Sequence, residues 1–453
     1  MYNIILINPP VYDFTCYNLW EKPLGLLNIA AVFERDPRCK LSFIDCVPER
    51  LSKKSEYERG AGKLTGIPAP KPECYKSVKR NYHRYGTPID DLKDRLEKIR
   101  VESFAPVNKT AVLISAMMTY WYGGAFEAAR TAREIMPDAK ICIGGIYARL
   151  MPEHAKSSAL FDYIETGHDI FNIYRKILHL LNIEPAAVEE KTGPAISIRP
   201  AYHLLPELNN SAAITASTGC PFSCSYCASK ILYSEYKIKP AAAIINELNY
   251  YKNTLKVSNA AFYDDALLYK KEEHFYIWAD SWIKGGGGSG FNLHLPNAVH
   301  ASMIDDKCAN IMKNASFSTI RLGYEFYDAA LQKESGGKVS GGALKIAINN
   351  LRSAGFNKKE IGVYILFGHP QSRIDEIKNA VNFVMECGAT PHLALFSPIP
   401  RTPDGAKIFE AHPETFREPL LQNKTIFFEM YSDIKYEDYY QLKQYIQRNN
   451  CSL

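Results

Sequence analysis

Gly219-Cys220-Pro221-Phe222-Ser223-Cys224-Ser225-Tyr226-Cys227 puts three cysteines into one short stretch. In a reducing compartment such a cluster points to metal binding or redox chemistry rather than to disulfides. Structural zinc takes four ligands, often as two CxxC pairs. The chain has no second pair, so a zinc knuckle needs a distant fourth ligand. Three thiolates close in sequence suit one cubane iron–sulfur cluster. With only Cys220, Cys224 and Cys227 as ligands, one of its four irons stays open, and an open iron is a place for a substrate to coordinate. The stretch follows a strand-like run, Ala212–Ser217, on the face where barrels place their sites.

Downstream the strand signal recurs near Val257–Tyr263, Phe291–Leu295, Thr319–Phe326, Gly362–Phe367 and His392–Phe396. Helical patterns fit between these runs, near Pro240–Lys252, Glu272–Ile283, Asp305–Met312, Gly342–Ala354 and Ile374–Cys387. Six βα repeats are too few for an eight-stranded barrel and predict a partial (βα)6 barrel over 211–403. Residues 404–453 read as a helical segment packed across its open side. Gly285–Gly288, Ser289 and Gly290 form either a flexible turn or a linker standing in for a native loop, and carry no functional weight.

Upstream, residues 1–185 alternate strands and helices: strands at Tyr2–Asn8, Leu41–Asp45, Ala111–Ala116, Lys140–Ile143 and Asp162–Thr166, helices at Leu24–Glu34, Gly124–Ile135 and Ile170–Leu181. Such alternation predicts an α/β domain with a doubly wound parallel sheet, which binds ligands at the carboxyl ends of its strands. A Pro-, Glu- and Ala-rich stretch, 186–210, reads as the linker. An insertion at about 47–108, with one helix near Asp90–Arg100, interrupts the first domain. Between Arg50 and Pro88 it carries ten Lys/Arg against three Asp/Glu. Its Arg80, Tyr82, His83, Arg84 and Tyr85 read as a solvated lid, or as a clamp on an anionic ligand.

The chain's net charge is only +5 over 453 residues, so outside this insertion it is close to neutral. Nucleic-acid binding is not expected. Hydrophobic residues make up 46%, ordinary for a globular protein. No apolar run reaches the roughly eighteen residues of a membrane span. MYNIILINPP reads as a first strand and not as a signal peptide, so a cytoplasmic location is expected. The eight scattered cysteines among the eleven read as small buried hydrophobes.

The CxxxCxxC spacing, with Tyr226 just before the last cysteine, resembles the radical S-adenosylmethionine (radical SAM) superfamily. That resemblance implies a [4Fe–4S] cluster on Cys220, Cys224 and Cys227, with S-adenosylmethionine chelating the open iron. It implies reductive cleavage to a 5′-deoxyadenosyl radical, which abstracts hydrogen from an unactivated carbon. A one-electron donor such as flavodoxin or ferredoxin and a small-molecule substrate follow from it. Asp264 and Asp265, in Phe262-Tyr263-Asp264-Asp265, fall where the family binds the methionine ammonium. Arg321 and Glu325, in RLGYEF, and Asn297 resemble contacts to ribose and carboxylate. Phe222 and Tyr226 complete the implied cofactor-binding set. Ile365–Pro370 and Ser397–Pro400 resemble segments lining the adenine. No catalytic side chain is singled out.

An α/β domain ahead of such a barrel resembles the cobalamin-binding domain of cobalamin-dependent radical SAM enzymes. The resemblance rests on INPP (7–10), Pro23-Leu24-Gly25-Leu26, Ser115-Ala116-Met117-Met118-Thr119 and Gly144-Gly145-Ile146-Tyr147. Ser115, Met117 and Thr119 lie at a strand end where a nucleotide tail can bond. Gly144 and Gly145 let backbone approach a bulky ligand. Tyr120, Trp121 and Tyr122 offer an apolar wall. The Asp-x-His-x-x-Gly motif that supplies an axial histidine is missing here, and His154 and His168 read as capping or core residues. The function this resemblance implies is methyl transfer to, or rearrangement of, an unactivated carbon with cobalamin; a cobalamin-free radical SAM enzyme and a non-catalytic iron–sulfur sensor are the alternatives.

Overall fold

The computed structural model describes residues 1–47, 54–103, 105–188, 195–337 and 339–451. Parts of the expected insertion (48–53 and 104) and linker (189–194) therefore lie outside the described residues. The chain divides into two compact units, Met1–Asn210 and Ser211–Leu453.

The first unit is built on β1 (Tyr2–Asn8), β2 (Cys39–Asp45), β3 (Thr110–Ser115), β4 (Lys140–Gly144) and β5 (Tyr163–Ile164). Its principal helices are α1 (Leu24–Phe33), α2 (Ile89–Val101), α3 (Tyr122–Ile135) and α4 (Ile170–Leu180). All strand pairs are parallel, and their order is β5-β4-β3-β1-β2. Ile4, Ile5, Leu6 and Ile7 are all buried, as a strand covered on both faces requires. The order reverses between β1 and β3, and the crevice at that switch point is where open α/β sheets bind ligands. Strand β5 is shorter than the Asp162–Thr166 expected. Asp162 and Glu165 flank it with backbone bonds to Ile141 O and Ile143 O, both at 2.8 Å, and the Asp162 carboxylate also accepts from Ile141 N at 2.7 Å and from Arg133 at 2.6 Å.

The insertion has a packed core, while Arg59, Lys63, Lys76 and Lys79 remain exposed. Val11–Asp13 and Ile67–Pro68 pair with His83–Tyr85 in a small antiparallel sheet. The rings of Phe14, Tyr75 and Tyr82 meet at 5.0–5.3 Å. Arg84 is buried and pairs with Glu127 of α3 at 2.7 Å. The lid reading therefore gives way to a fixed subdomain: aromatic burial and one partly desolvated ion pair hold it to the sheet. Ile198 and Ala201, from the expected linker, belong to this unit's apolar core.

The second unit carries six parallel strands in sequence order: β6 (Ser211–Ile214), β7 (Asn259–Phe262), β8 (Asn292–Val299), β9 (Phe317–Glu325), β10 (Ile361–Phe367) and β11 (Thr390–Leu395). Between them run α5 (Ala241–Asn253), α6 (Phe275–Lys284), α7 (Asp306–Asn314), α8 (Gly341–Ser353) and α9 (Ile374–Glu386). Asp305 and Ser340 cap α7 and α8 by accepting from the backbone of Cys308 and Ala343, each stabilising by about 1 kcal/mol. The tail is helical, including α10 (Pro403–Ala411) and α11 (Tyr436–Cys451). The middle of the glycine run is tightly fitted, with a Cβ on Gly287 meeting the Trp282 ring at 2.1 Å and one on Gly288 meeting Ser316 Oγ at 2.3 Å, while Gly286 and Gly290 face open space. Cys16, Cys46, Cys142 and Cys308 are buried, while Cys39, Cys74 and Cys387 are only half-buried. Among the described residues no helix is long and apolar enough to cross a membrane.

Candidate functional site

Strand β6 ends at Ile214 instead of running on to Ser217, because Asp264 at the end of β7 draws the next amides away. Its carboxylate accepts from Ala216 N at 3.0 Å, Ser217 N at 2.5 Å and Ser217 Oγ at 2.5 Å. Ser217–Thr218 then pairs antiparallel with Lys237–Ile238. Gly219 turns the chain at φ +80°, and a Cβ there would lie 2.4 Å from Glu235 O, so only glycine fits. The cysteine loop starts at the next residue.

The loop is anchored along its length. Cys227 N donates to Cys224 O at 3.1 Å, and Ser225 N donates to Ser335 O at 3.1 Å. Ser229 N points at Cys227 Sγ at 3.4 Å, and Ser229 Oγ donates to Asp265 at 2.5 Å. Gly336 supports the loop from below, where a Cβ would come within 3.2 Å of Cys224 Cα. Cys220 and Cys224 are half-buried and Cys227 is exposed at its surface. The surrounding protein still desolvates the Cys227 thiol and, with Asp265, Cys224 and Cys220 nearby, pushes it up to about 11. Metal must therefore displace protons to bind. A cubane takes one thiolate per iron, and three cysteines outside any disulfide on one anchored loop fit that ligand set.

The remaining expected cofactor residues are distributed as follows. Asp264 is buried with both oxygens engaged, and burial pushes it up to about 6 against the hydrogen bonds that favour its charge. It holds the loop's approach; Asp265 is the exposed carboxylate beside Cys227. Phe222 packs on His300 with centroids 4.7 Å apart. Asn297 donates to the carbonyls of Tyr263 at 3.2 Å and Asp264 at 3.4 Å. Tyr226 is raised above the ordinary phenol range by burial, then by the charges of Glu325 and Cys224. Arg321 shares a gap with His392 that Gly362 leaves: a Cβ there would meet Arg321 Nη1 at 2.6 Å and His392 Cδ2 at 2.7 Å. Burial and the Arg321 charge push His392 down to about 3.

Glu325 departs from the strict alternation of RLGYEF. A register shift pairs it, and not Tyr324, with Ile365, and its φ is +64°. Such a bulge re-aims the side chains beyond it, so Glu325 leaves the row of Arg321 and Gly323. It lines a shallow cleft with Asp328, Ser372 and Glu376.

In the first unit, Ser115 pairs in register with Gly144 at the carboxyl ends of β3 and β4. Gly145 has φ +87°, and a Cβ would stand 2.6 Å from both Ala116 O and Ser115 Oγ. Met117 is half-buried and Thr119 buried. These residues are together beside the switch point. The expected aromatic wall is partnered within the unit: Trp121 Nε1 donates to Asp13 at 2.7 Å, and Tyr122 stacks on Tyr147. His154 bonds Tyr147 Oη at 2.6 Å. Sequence reading missed Ser217, Ser229, Gly362 and His392. Their only signal is a small or polar residue near a strand end, which many turns share.

Residues 214–384 match the model of the Radical SAM superfamily. No curated protein matches the chain. Among solved structures, the radical S-adenosylmethionine methyltransferase TsrM from Kitasatospora setae, with tryptophan substrate and a SAM analog bound, aligns at a TM-score of 0.66 and 15% identity, over 91% of this chain and 76% of that one. TsrM with cobalamin and [4Fe-4S] cluster bound aligns at 0.64 and 14%, over 90% and 78%. The cobalamin-dependent S-adenosylmethionine radical enzyme OxsB, with aqua-cobalamin and S-adenosylmethionine bound, aligns at 0.59 and 12%, over 92% of this chain but 56% of that one. At such identities the likeness is one of fold, and it extends over both units.

Proposed function

We propose that this chain, which carries a radical SAM enzyme domain over residues 214–384, is a cobalamin-dependent radical SAM methyltransferase acting on an unactivated carbon of a small molecule. The observation that carries the proposal is the three-cysteine loop at the carboxyl end of β6, anchored through Gly219, Ser225 and Ser229. Cys220, Cys224 and Cys227 would hold a [4Fe-4S] cluster, which with S-adenosylmethionine supplies one-electron cleavage to a carbon-centred radical, while cobalamin supplies a transferable methyl group. The chain's own part is positioning. Asp264 fixes the entry to the loop, Asp265 and Asn297 line its rim, and Arg321 lies deeper on β9. Phe326, Leu366, Phe396, Ile408 and Phe427 form a buried apolar cluster against which Tyr226 packs, helping to keep water from a radical.

For cobalamin, support comes from the likeness to TsrM and OxsB and from the first unit itself. Its strand order reverses between β1 and β3, the kind of position at which open α/β sheets bind ligands. Ser115, Met117, Thr119, Gly144 and Gly145 surround the adjoining strand ends, and Gly144 has only Glu165 Cβ within 4 Å of an added Cβ.

Anaerobic reconstitution with iron and sulfide, then dithionite and S-adenosylmethionine, tests the reading. Release of 5′-deoxyadenosine, or cobalamin methylation and methyl transfer, is expected. An intact cluster that turns over no S-adenosylmethionine, or purified protein holding zinc on the loop, would overturn it. Cys224→Ser is expected to lose the cluster and turnover together. Cobalamin binding at micromolar affinity or tighter separates the proposal from a cobalamin-free enzyme.

A further inference from the structure

A buried histidine, from the 365–370 segment, and a buried aspartate from the tail meet behind the cysteine loop. His369, just after β10, and Asp404, in the first turn of α10, are 4% and 6% exposed. His369 Nε2 stands 3.4 Å from Asp404 Oδ2. The same carboxylate oxygen accepts from Ser225 Oγ at 2.7 Å, and Asp404 N donates to Ser225 O at 3.1 Å. Asp404 thus grips the loop residue between Cys224 and Cys227 at both its side chain and its backbone. Burial opposes its charge, but the hydrogen bonds from His369 and Ser225 hold its carboxyl below the usual range.

The histidine is itself fixed. Its Nδ1 accepts from Gln371 N at 3.3 Å, leaving Nε2 to donate to Asp404. Its ring packs edge-on against Phe396 at 4.7 Å and Phe326 at 5.4 Å. Those two phenylalanines belong to the apolar cluster on which Tyr226 also rests. With this tautomer the pair carries one net negative charge. Two elements distant in sequence thereby brace one loop residue, and the brace is charged.

We propose that His369 and Asp404 are positioning residues that hold the cysteine loop through Ser225 and set the reduction potential of the cluster it carries; this rests on the cluster assignment of the preceding section. A fixed negative charge close to an iron–sulfur cluster opposes the uptake of an electron, and net charge and hydrogen bonding are among the protein's means of setting such potentials.

The test is spectroelectrochemistry and electron paramagnetic resonance on the full chain, reconstituted anaerobically, for the parent and Asp404→Asn. The amide keeps an oxygen for the Ser225 hydroxyl and removes the charge. Cluster content near the parent's is expected, with the reduced-to-oxidised ratio at a fixed solution potential raised about tenfold, equivalent to 59 mV for one electron. A loaded variant with the parent's potential overturns the proposal. If Asp404→Asn does not retain a cluster, Ser225→Ala and His369→Phe decide. Each cuts one tether and leaves the carboxylate, and each is expected to lower cluster retention or shift the potential; parental behaviour in both overturns the proposal. A parent chain that forms no [4Fe-4S] signal refutes the cluster assignment instead, which is a separate result.

Discussion

Asp264 offers a quantitative test of how the entry to the cysteine loop is held. The buried carboxyl stands at about 6 instead of the ordinary 3.8, mainly through desolvation. A folded-state value above the unfolded one means that folding favours the protonated form. Its contribution to stability is present below about pH 3.8 and is lost as pH rises to about 6. The full difference is about 3 kcal/mol, of which about 2 kcal/mol falls between pH 4.5 and 7.5. Asp264→Asn cannot ionise. Its oxygen can still accept from Ser217, but its amide then faces Ala216 N, leaving that donor stranded at about 1–3 kcal/mol. The variant is therefore expected to be less stable than the parent at pH 4.5, with the gap narrowing by about 2 kcal/mol at pH 7.5. Guanidinium unfolding of both proteins at both pH values measures this, since other titrating groups cancel in the comparison. An unchanged gap would refute the argument that Asp264 bears a net desolvation penalty.

Three further outcomes are expected. Gly145→Ala, at φ +87° and against Ala116 O, should destabilise by about 1–3 kcal/mol through backbone strain and weaken cobalamin retention; an unaltered melting temperature would argue against the tight turn. Lys239→Met leaves Glu247, its partner at 2.7 Å with both side chains 3% exposed, as a buried charge without its cation. The loss should be about 3–5 kcal/mol, most of it recovered in Lys239→Met/Glu247→Leu, as denaturant midpoints can check. Gly287→Ala drives a methyl into the Trp282 ring and should cost about 1–3 kcal/mol with a change in tryptophan fluorescence, whereas a freely flexible linker would tolerate it.

Within both units, the elements themselves were legible in the chain. Ile4–Ile7, Val112–Ile114 and Val363–Phe367 are apolar runs too short for a free-standing helix and bounded by turn residues, so their burial on both faces of a sheet follows from local pattern. The cysteine loop was legible for the same reason: its ligands are close in sequence, and the chemistry of three thiols does not depend on distant neighbours. The fit of Gly287 and Gly288 was invisible, because nothing in a glycine run tells a loose tether from a loop pressed against a tryptophan.

What the chain alone determined, then, is the succession of strands and helices and the three-thiol ligand set. What tertiary structure decided is the use of the polar groups around it. Asp264 and Asp265 are adjacent in sequence, yet one is locked onto Ala216 and Ser217 while the other is exposed beside Cys227. Glu325 leaves the row of Arg321 through a bulge, and Ser225 meets Asp404 across 179 positions. Periodicity records which side of an element is buried, a property of near neighbours. A polar atom's partner depends on how remote segments close in space, and that information is spread over the whole fold.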